Sequence, residues 1–371
     1  MIYLDNAATT IPDPEVIDIM ATVMNNFYGN PSSSHQAGVE AKTIIEESRK
    51  TIADLLNCQP DEIIFTSGGT EAINMVFYNI SMMHNIEQII TSTLEHPAVL
   101  HSIDHFGLAE KTEFVNILPD ATPDLQHLEQ LLSAKTKSFV ALMHVNNECG
   151  SIADAEQIGE LCKTYNSLFL CDTVQSIGKI PVDFEKINAD FAACSSHKFH
   201  GPRGMGFLYK KRSHNFKPHT VGGGQEGGLR SGTENTASIA GLCRALEIAN
   251  ESIEKILNRT GDIKSTLISK IETEIPQIRF AGENKRTIPH ILSIAIPENE
   301  QSIHIQERLN QAGYAVSVGS ACHANPKQST LLNTIGLQNY FPLRVSFGKF
   351  TTAKEVDEFA TEFIKTYNLT R

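Results

Sequence analysis

Several short segments of the sequence place reactive side chains directly after an apolar run, which is where the strands of an α/β sheet meet their ligands. One is Ser67–Thr70, a turn with two glycines between the run Glu62–Thr66 and a helical pattern. Glycines let backbone N–H groups converge on one anion, and a helix N-terminus adds partial positive charge. The turn predicts a phosphate-binding site, although an ordinary helix cap at Ser67 or Thr70 would give the same pattern.

Asp172 and Lys198 also follow short apolar runs. Asp172 comes at the end of a run that begins at Leu168, and Gln175 lies three residues further on. Lys198 lies between a run of small residues and a turn rich in Gly and Pro, where a desolvated lysine can become a Schiff-base nucleophile. The alternatives are a helix cap or a satisfied buried carboxylate for Asp172, and a loop lysine that reaches water for Lys198.

His96 and Cys322 are two further candidates for chemistry. His96 follows a predicted strand and could stack on a planar ligand or move protons, although a lone histidine is more often structural. Cys322 lies in a loop of small residues, Ser317–Pro326, where an accessible thiolate could act as a nucleophile. The alternative for Cys322 is an inert thiol.

Together these groups indicate one ligand. A phosphate cradle, an acid, a lysine and a histidine all follow strands of one α/β region. Pyridoxal 5′-phosphate needs a lysine for its aldehyde, a helix N-terminus for its phosphate and a carboxylate for its ring nitrogen. The set therefore predicts a site for this cofactor.

The elements that must position these residues alternate along the chain. The predicted strands are Glu62–Thr66, Gln88–Thr91, Ser138–His144, Leu168–Cys171, Phe191–Ala193 and Gly206–Tyr209. Helical patterns between them include Val39–Leu56, Glu71–Asn79 and Ala155–Tyr165. Such alternation is typical of an α/β fold with a mostly parallel sheet.

The pattern changes after a Gly-rich stretch, Val221–Gly232, and a long helical run. Predicted strands at Pro289–Ile296, Ala315–Val318 and Leu343–Phe347 are then followed by a predicted helix, Glu355–Tyr367. We therefore expect a large α/β domain at 15–258. A smaller α+β domain is expected to combine 1–14 with 259–371.

Composition excludes several classes of protein. Of the 371 residues, 41% are hydrophobic and 20% charged, with 31 basic against 43 acidic side chains, a net charge of −12. That balance disfavours direct nucleic-acid binding, and no apolar run is long enough to cross a membrane. Seven widely spread cysteines without a CxxC pair disfavour a disulfide framework or a structural metal site. A cytoplasmic location is expected.

Over nearly its whole length the sequence resembles the cysteine desulfurases of the NifS/IscS type, in class V of the pyridoxal-phosphate aminotransferase superfamily. The matching motifs are Tyr3–Thr10, Phe27–Ser32, Ser67–Glu71, His96, Met143–Glu148, Asp172 with Gln175, Ser195–Lys198, Arg230–Thr233 and Gly319–Cys322. The resemblance implies the type I fold of pyridoxal-phosphate-dependent transferases. One departure is Ser196, where the family usually has glycine.

The resemblance also implies a role for each matching residue. Lys198, Cys322 and His96 correspond to catalytic residues, and Asn147 and Arg344 to residues that hold the substrate. Residues implied to bind the cofactor are Gly69, Thr70, His96, Asp172, Gln175, Ser195, His197, Lys198 and Thr233. Among these, Thr233 corresponds to a phosphate ligand given across the interface of a homodimer.

The activity implied is conversion of L-cysteine to L-alanine with a persulfide formed on Cys322. The sulfur then passes to a protein acceptor, for iron–sulfur cluster assembly, tRNA thiolation or cofactor biosynthesis. Alternatives are a selenocysteine lyase, another class V enzyme, or a catalytically silent sulfur-carrier subunit. The complete set of Lys198, Asp172, His96 and Cys322 disfavours the silent protein, which has no physical need for all four.

Overall fold

A computed structural model describes residues 1–135, 137–282, 286–300, 302–319 and 329–369. Its strands are β1 (Ile2–Tyr3), β2 (Ile63–Thr66), β3 (Gln88–Thr91), β4 (Thr112–Phe114), β5 (Ser138–Met143), β6 (Leu168–Asp172), β7 (Phe191–Ser195), β8 (Gly206–Lys210), β9 (Arg279–Phe280), β10 (Ile291–Pro297), β11 (Tyr314–Ala315) and β12 (Tyr340–Ser346). Its α-helices are α1 (Pro14–Asn26), α2 (Gln36–Leu56), α3 (Gly69–Ser81), α4 (Pro97–His105), α5 (Leu125–Ser133), α6 (Ala155–Thr164), α7 (Phe184–Ile187), α8 (Thr236–Glu274), α9 (Ile305–Gln311), α10 (Thr330–Thr334) and α11 (Ala353–Asn368).

The main sheet has seven strands in the described residues, in the order β2-β8-β7-β6-β5-β3-β4. β8 is antiparallel to both of its neighbours, and the other pairings are parallel. β2, β3, β5, β6, β7 and β8 are buried along their whole length. Burial on both faces explains why these strands read as continuous apolar runs rather than as alternating patterns. The predicted α/β fold with a mostly parallel sheet is confirmed.

This topology brings the predicted motifs to one edge of the sheet. β2, β5, β6 and β7 run in the same direction, so their carboxyl ends lie side by side. Within the register, Met143 pairs with Asp172, and Asp172 with Ala193. The turn before α3, the acid at the end of β6 and the lysine after β7 are therefore neighbours in space.

A second group of elements surrounds the chain termini. β10 lies between β12 and β9 in an antiparallel sheet, and β1 pairs in parallel with β11. Leu4 packs in the same apolar cluster as the second half of α8 and the core of α11. Helix α8 runs unbroken through the predicted domain boundary near residue 259. The division into 15–258 and 1–14 with 259–371 stays a prediction.

The predicted strands and helices agree with the observed ones to within a few residues. The exception is the predicted strand Ala315–Val318: β11 already ends at Ala315, and Ser317 forms only an isolated bridge with Arg344. Among the described residues, no helix combines the length and apolar character needed to cross a membrane.

Gly206, the first residue of β8, offers a test of the packing beneath the site. A Cβ at this position would lie 2.1 Å from the Cys194 carbonyl oxygen and 2.7 Å from the Gly68 Cα. Overpacking of this kind costs about 1–3 kcal/mol, so Gly206→Ala should lower the free energy of unfolding by that amount in a denaturant titration. Gly261→Ala is the matched control, because nothing lies within 4 Å of its added methyl in α8. Equal stability of the two variants would contradict this packing.

Candidate active site

A cavity of about 270 Å³ opens at the carboxyl edge of the main sheet. This is close to the lower end of the range for small-molecule pockets, ~300–1,000 Å³. The predicted site residues that line it are Gly69, Thr70, His96, Asn147, Asp172, Gln175, Ser195, His197, Lys198 and Arg344. The structure therefore brings together side chains that are far apart in sequence.

The turn from β2 into α3 forms a cradle that only glycine can form. Gly68 has a φ of +147°, and a Cβ at Gly69 would lie 2.6 Å from Val174 Cγ2. The Gly69 N–H donates to the Ser195 hydroxyl at 3.1 Å, which ties the turn to the end of β7. The N–H groups of the first turn of a helix have no acceptor within it, so this end of α3 suits a phosphate.

Asp172 is a buried carboxylate without a cationic partner at close range. Its Oδ1 accepts from the Val174 N–H at 3.0 Å, and within the described part of the chain it forms no ion pair. Burial raises the pKa of Asp172, while His96 and Lys198 act in the opposite direction. A buried anion is costly unless paired, and a protonated ring nitrogen would supply the missing partner.

Lys198 is the last residue of a single 3-10 turn that follows β7. Its side chain lines the cavity and contacts the N-terminal segment. Its Nζ donates to the backbone oxygens of Ala7 and Ala8, each at 2.8 Å. Burial and the nearby Arg344 guanidinium lower the pKa of Lys198 to about 8. A larger share of the amine is therefore unprotonated near neutral pH, as a nucleophile or general base requires.

His96 is the N-cap of α4, and this fixes its tautomer. Its Nδ1 accepts from the Ala98 N–H at 3.1 Å, so the proton of the neutral ring belongs on Nε2. Burial lowers the pKa of His96 and keeps the ring neutral. A neutral imidazole on the cavity wall suits stacking on a planar ring.

Gln175 and His197 are held by hydrogen bonds to the same N-terminal segment. The Gln175 Nε2 donates to the Ala7 oxygen at 2.9 Å, and His197 Nδ1 lies 3.1 Å from the Thr9 hydroxyl. Burial and the nearby Lys198 lower the pKa of His197 to about 4, so its ring is neutral at pH 7.

Arg344, on β12, presents a partly satisfied guanidinium to the cavity. Its Nη1 donates to the Asn147 carbonyl oxygen at 2.8 Å, and its Nη2 to Asp5 Oδ1 at 3.0 Å. Its Nε is buried and has no partner among the described residues. A planar guanidinium with donors to spare suits the carboxylate of an amino acid.

Two predicted site residues are not among those that line the cavity. Thr233 is exposed and does not line the cavity, and Cys322 lies outside the described residues. Ser196, which replaces the usual glycine, is fully buried. Its hydroxyl donates to the Met205 oxygen at 2.9 Å and to Pro202, so the turn accommodates the side chain.

Sequence reasoning missed three contributors to the site. Ala7 and Ala8 act through backbone oxygens, which side-chain chemistry does not reveal. Glu95 is buried beside His96, and burial together with Asp172 raises its pKa to about 8. The motif Tyr3–Thr10 could have pointed to the two alanines, because it matches the family although none of its side chains has an implied role. Among the described residues no cluster of side chains could hold a metal ion.

The lowered pKa of Lys198 can be tested without cofactor. In the apoprotein, acetylation of Lys198 followed by mass spectrometry should rise with pH through a midpoint near 8, well below the ordinary 10.5. Arg344→Gln should move this midpoint upward, because it removes a neighbouring cation. Acetylation of the exposed Lys354 is the control for the reactivity of the reagent at each pH. A midpoint at the ordinary lysine value would contradict the arrangement.

Comparisons with known proteins identify the family to which the chain belongs. The family model described as aminotransferase class-V matches residues 2–359. A mitochondrial cysteine desulfurase of Drosophila melanogaster is 35% identical over 98% of this chain and 80% of its own length. The cysteine desulfurase IscS of Dictyoglomus turgidum is 35% identical, over 96% of this chain and 92% of its own length. A solved NifS-like protein superposes with a TM-score of 0.91 at 33% identity, over 99% of both chains. The chain therefore belongs to the class-V aminotransferase family and, within it, to the cysteine desulfurases of the NifS/IscS type.

Proposed function

We propose that this protein is a pyridoxal-phosphate-dependent cysteine desulfurase that converts L-cysteine to L-alanine and leaves the sulfur on Cys322 as a persulfide. The observation that carries the proposal is the convergence of Lys198, Asp172 and Arg344 on one cavity at the carboxyl edge of the sheet. Relatives named cysteine desulfurase match the chain over nearly its whole length. The names of these relatives indicate L-cysteine as the substrate, and the cavity contains side chains suited to bind it.

The residues present fit the cofactor. The cradle at Gly69 and Thr70, with Ser195 and His197, would hold the phosphate, and Asp172 would keep the ring nitrogen protonated. His96 would stack on the ring, and Gln175 would donate to the ring hydroxyl. When bound, pyridoxal 5′-phosphate supplies an aldehyde that captures the substrate amine and a ring that accepts electrons from its Cα.

Arg344 and Asn147 would orient the substrate, and Lys198 would move its proton. The guanidinium would grip the carboxylate of L-cysteine. Lys198, whose pKa is lowered to about 8, would remove the Cα proton. An amine with a pKa close to the working pH serves well as both base and acid.

Cys322 would take the sulfur. Its thiolate would attack the substrate sulfur, so that an S–S bond forms as the Cβ–S bond breaks, and Cβ gains a proton to give alanine. The described thiols are poor candidates, since burial raises the pKa of Cys58 to about 12 and that of Cys243 to about 11. Burial also raises the pKa of the other described thiols, Cys149, Cys162, Cys171 and Cys194.

We further propose a homodimer, in which Thr233 of one subunit completes the phosphate site of the other. Support comes from the position of Thr233, which is exposed and lies outside its own cavity. The sulfur acceptor would be a protein of iron–sulfur cluster assembly, tRNA thiolation or cofactor biosynthesis. We propose a cytoplasmic location, because persulfide chemistry needs a reduced thiol and the described cysteines are all unpaired.

Lys198→Ala tests the cofactor assignment. The variant should lose the absorption band of the lysine-bonded cofactor, because no other described amine lies in the cavity. Absorption spectra of the two proteins, each reconstituted with pyridoxal 5′-phosphate, give the answer. A lysine-bonded absorption band that survives in the variant would refute the role of Lys198.

Cys322→Ser tests the sulfur transfer. The variant should keep the visible absorption and lose alanine release from L-cysteine in the presence of a thiol reductant. Cys58→Ser is the matched control, because burial raises the pKa of that thiol to about 12 and so keeps it protonated. Alanine release at the parent rate by the Cys322 variant would exclude Cys322 as the nucleophile.

A further inference from the structure

Lys179 is a buried lysine beside the side chains proposed to bind the cofactor, and it does not line the cavity itself. Its exposed fraction is 6%. Its Nζ donates to Oε1 of Gln175, and within the described ranges no carboxylate pairs with it. Burial lowers the pKa of Lys179 well below its ordinary value, and Lys198 and Arg344 lower it further. Burying an amine in this way is costly, and the hydrogen bond to Gln175 offsets part of that cost.

That hydrogen bond decides how the Gln175 amide is oriented. The two ends of a glutamine amide have nearly the same shape, but one accepts hydrogen bonds and the other donates them. The Ala7 oxygen can only accept, and it binds Nε2 at 2.9 Å. Lys179 donates to the opposite end of the amide. The side chain is therefore fixed from both sides, with one Nε2 hydrogen left for a group in the cavity.

We propose that Lys179 is a positioning residue for the cofactor: it holds the Gln175 amide so that its N–H faces the ring hydroxyl. The inference rests on the proposed function of the cavity. Without Lys179, the buried Oε1 would have no donor, and other side-chain orientations would become favourable. Leaving a buried acceptor unsatisfied costs enough free energy to change the orientation of an amide.

A direct effect of charge is the competing explanation. Lys179 faces several titratable groups on different elements: Lys198, Arg344, His197, His200 and His290. An ammonium among them could also stabilise an ionised ring hydroxyl through space. The experiment must therefore separate the hydrogen bond from the field of the charge.

The first variant is Lys179→Met, which keeps the bulk of the side chain and removes its donors. The readout is the pH dependence of visible absorption in the cofactor-loaded protein, together with the affinity of the apoprotein for pyridoxal 5′-phosphate. An ionised hydroxyl that loses a donor becomes harder to form, so the absorption midpoint should rise by about one pH unit. We expect the affinity to fall roughly tenfold in parallel.

Lys210→Met is the matched control. Lys210 has the same exposed fraction, 6%, and donates to the backbone oxygens of Lys211 and His214, away from the cavity. Its loss should lower stability without moving the absorption midpoint. If Lys210→Met moves the midpoint as Lys179→Met does, the effect reflects general destabilisation and the proposal is overturned.

A double-mutant cycle with Gln175→Ala completes the test. If Lys179 acts through Gln175, adding Lys179→Met to Gln175→Ala should leave the midpoint unchanged. An equal further rise in that background would show a direct charge effect and overturn the positioning role, as would an unmoved midpoint in Lys179→Met alone. Parent protein that binds no cofactor would instead refute the proposed function of the cavity.

Discussion

The site depends on the backbone of residues 4–10, which binds to both groups of elements at once. On one side, Ser346 donates its N–H to the Leu4 oxygen at 2.7 Å, and its hydroxyl accepts from the Ala7 N–H at 2.8 Å. On the other side, the Ala7 oxygen accepts from Lys198 and from Gln175. The cavity lies between these attachments. Any shift of this segment would therefore move the lysine, the amide and the floor of the cavity together.

The charges around the cavity follow from this arrangement. Lys198, Lys179 and Arg344 are close enough that each lowered lysine pKa reflects the neighbouring cations as well as burial. Asp172 and Asp5 oppose them. Although the whole chain carries a net charge of −12, the cavity offers cationic and N–H donors. A ligand that brings a phosphate and a carboxylate complements such a site, because charges attract more strongly where water is excluded.

Sequence reasoning could predict the fold and the residues whose own side chains carry chemistry. Asp172 and Lys198 could be predicted from the sequence because Asp172 ends a buried strand and Lys198 comes three residues after one. The direction of a parallel sheet then places both at one edge. The role of Ala7 could not be predicted, since its contribution is a carbonyl oxygen held at the site by hydrogen bonds between this segment and Ser346.

The role proposed for Lys179 could not be predicted from the sequence for a different reason. It occupies an ordinary turn after Asp172, and its sequence gives no sign that the amine is buried against Gln175. Burial of this kind is a tertiary property, and residues from distant segments, among them Arg344, lie close enough to lower the pKa of the amine further. Local patterns therefore predict which groups are present, and only the assembled fold shows how they act on one another.

The connection between Arg344 and the predicted nucleophile extends this reasoning to the reaction. The backbone N–H of Arg344 donates to the Ser317 oxygen at 2.7 Å, and the Ser317 N–H donates to the Arg344 oxygen at 3.1 Å. The residue suited to grip the substrate carboxylate is thus paired with the chain segment that leads to Cys322. Four residues lie between Ser317 and Cys322, and the five peptide units that join them span at most about 18 Å. This limit is compatible with the proposed attack of the Cys322 thiolate on the sulfur of a substrate held by Arg344.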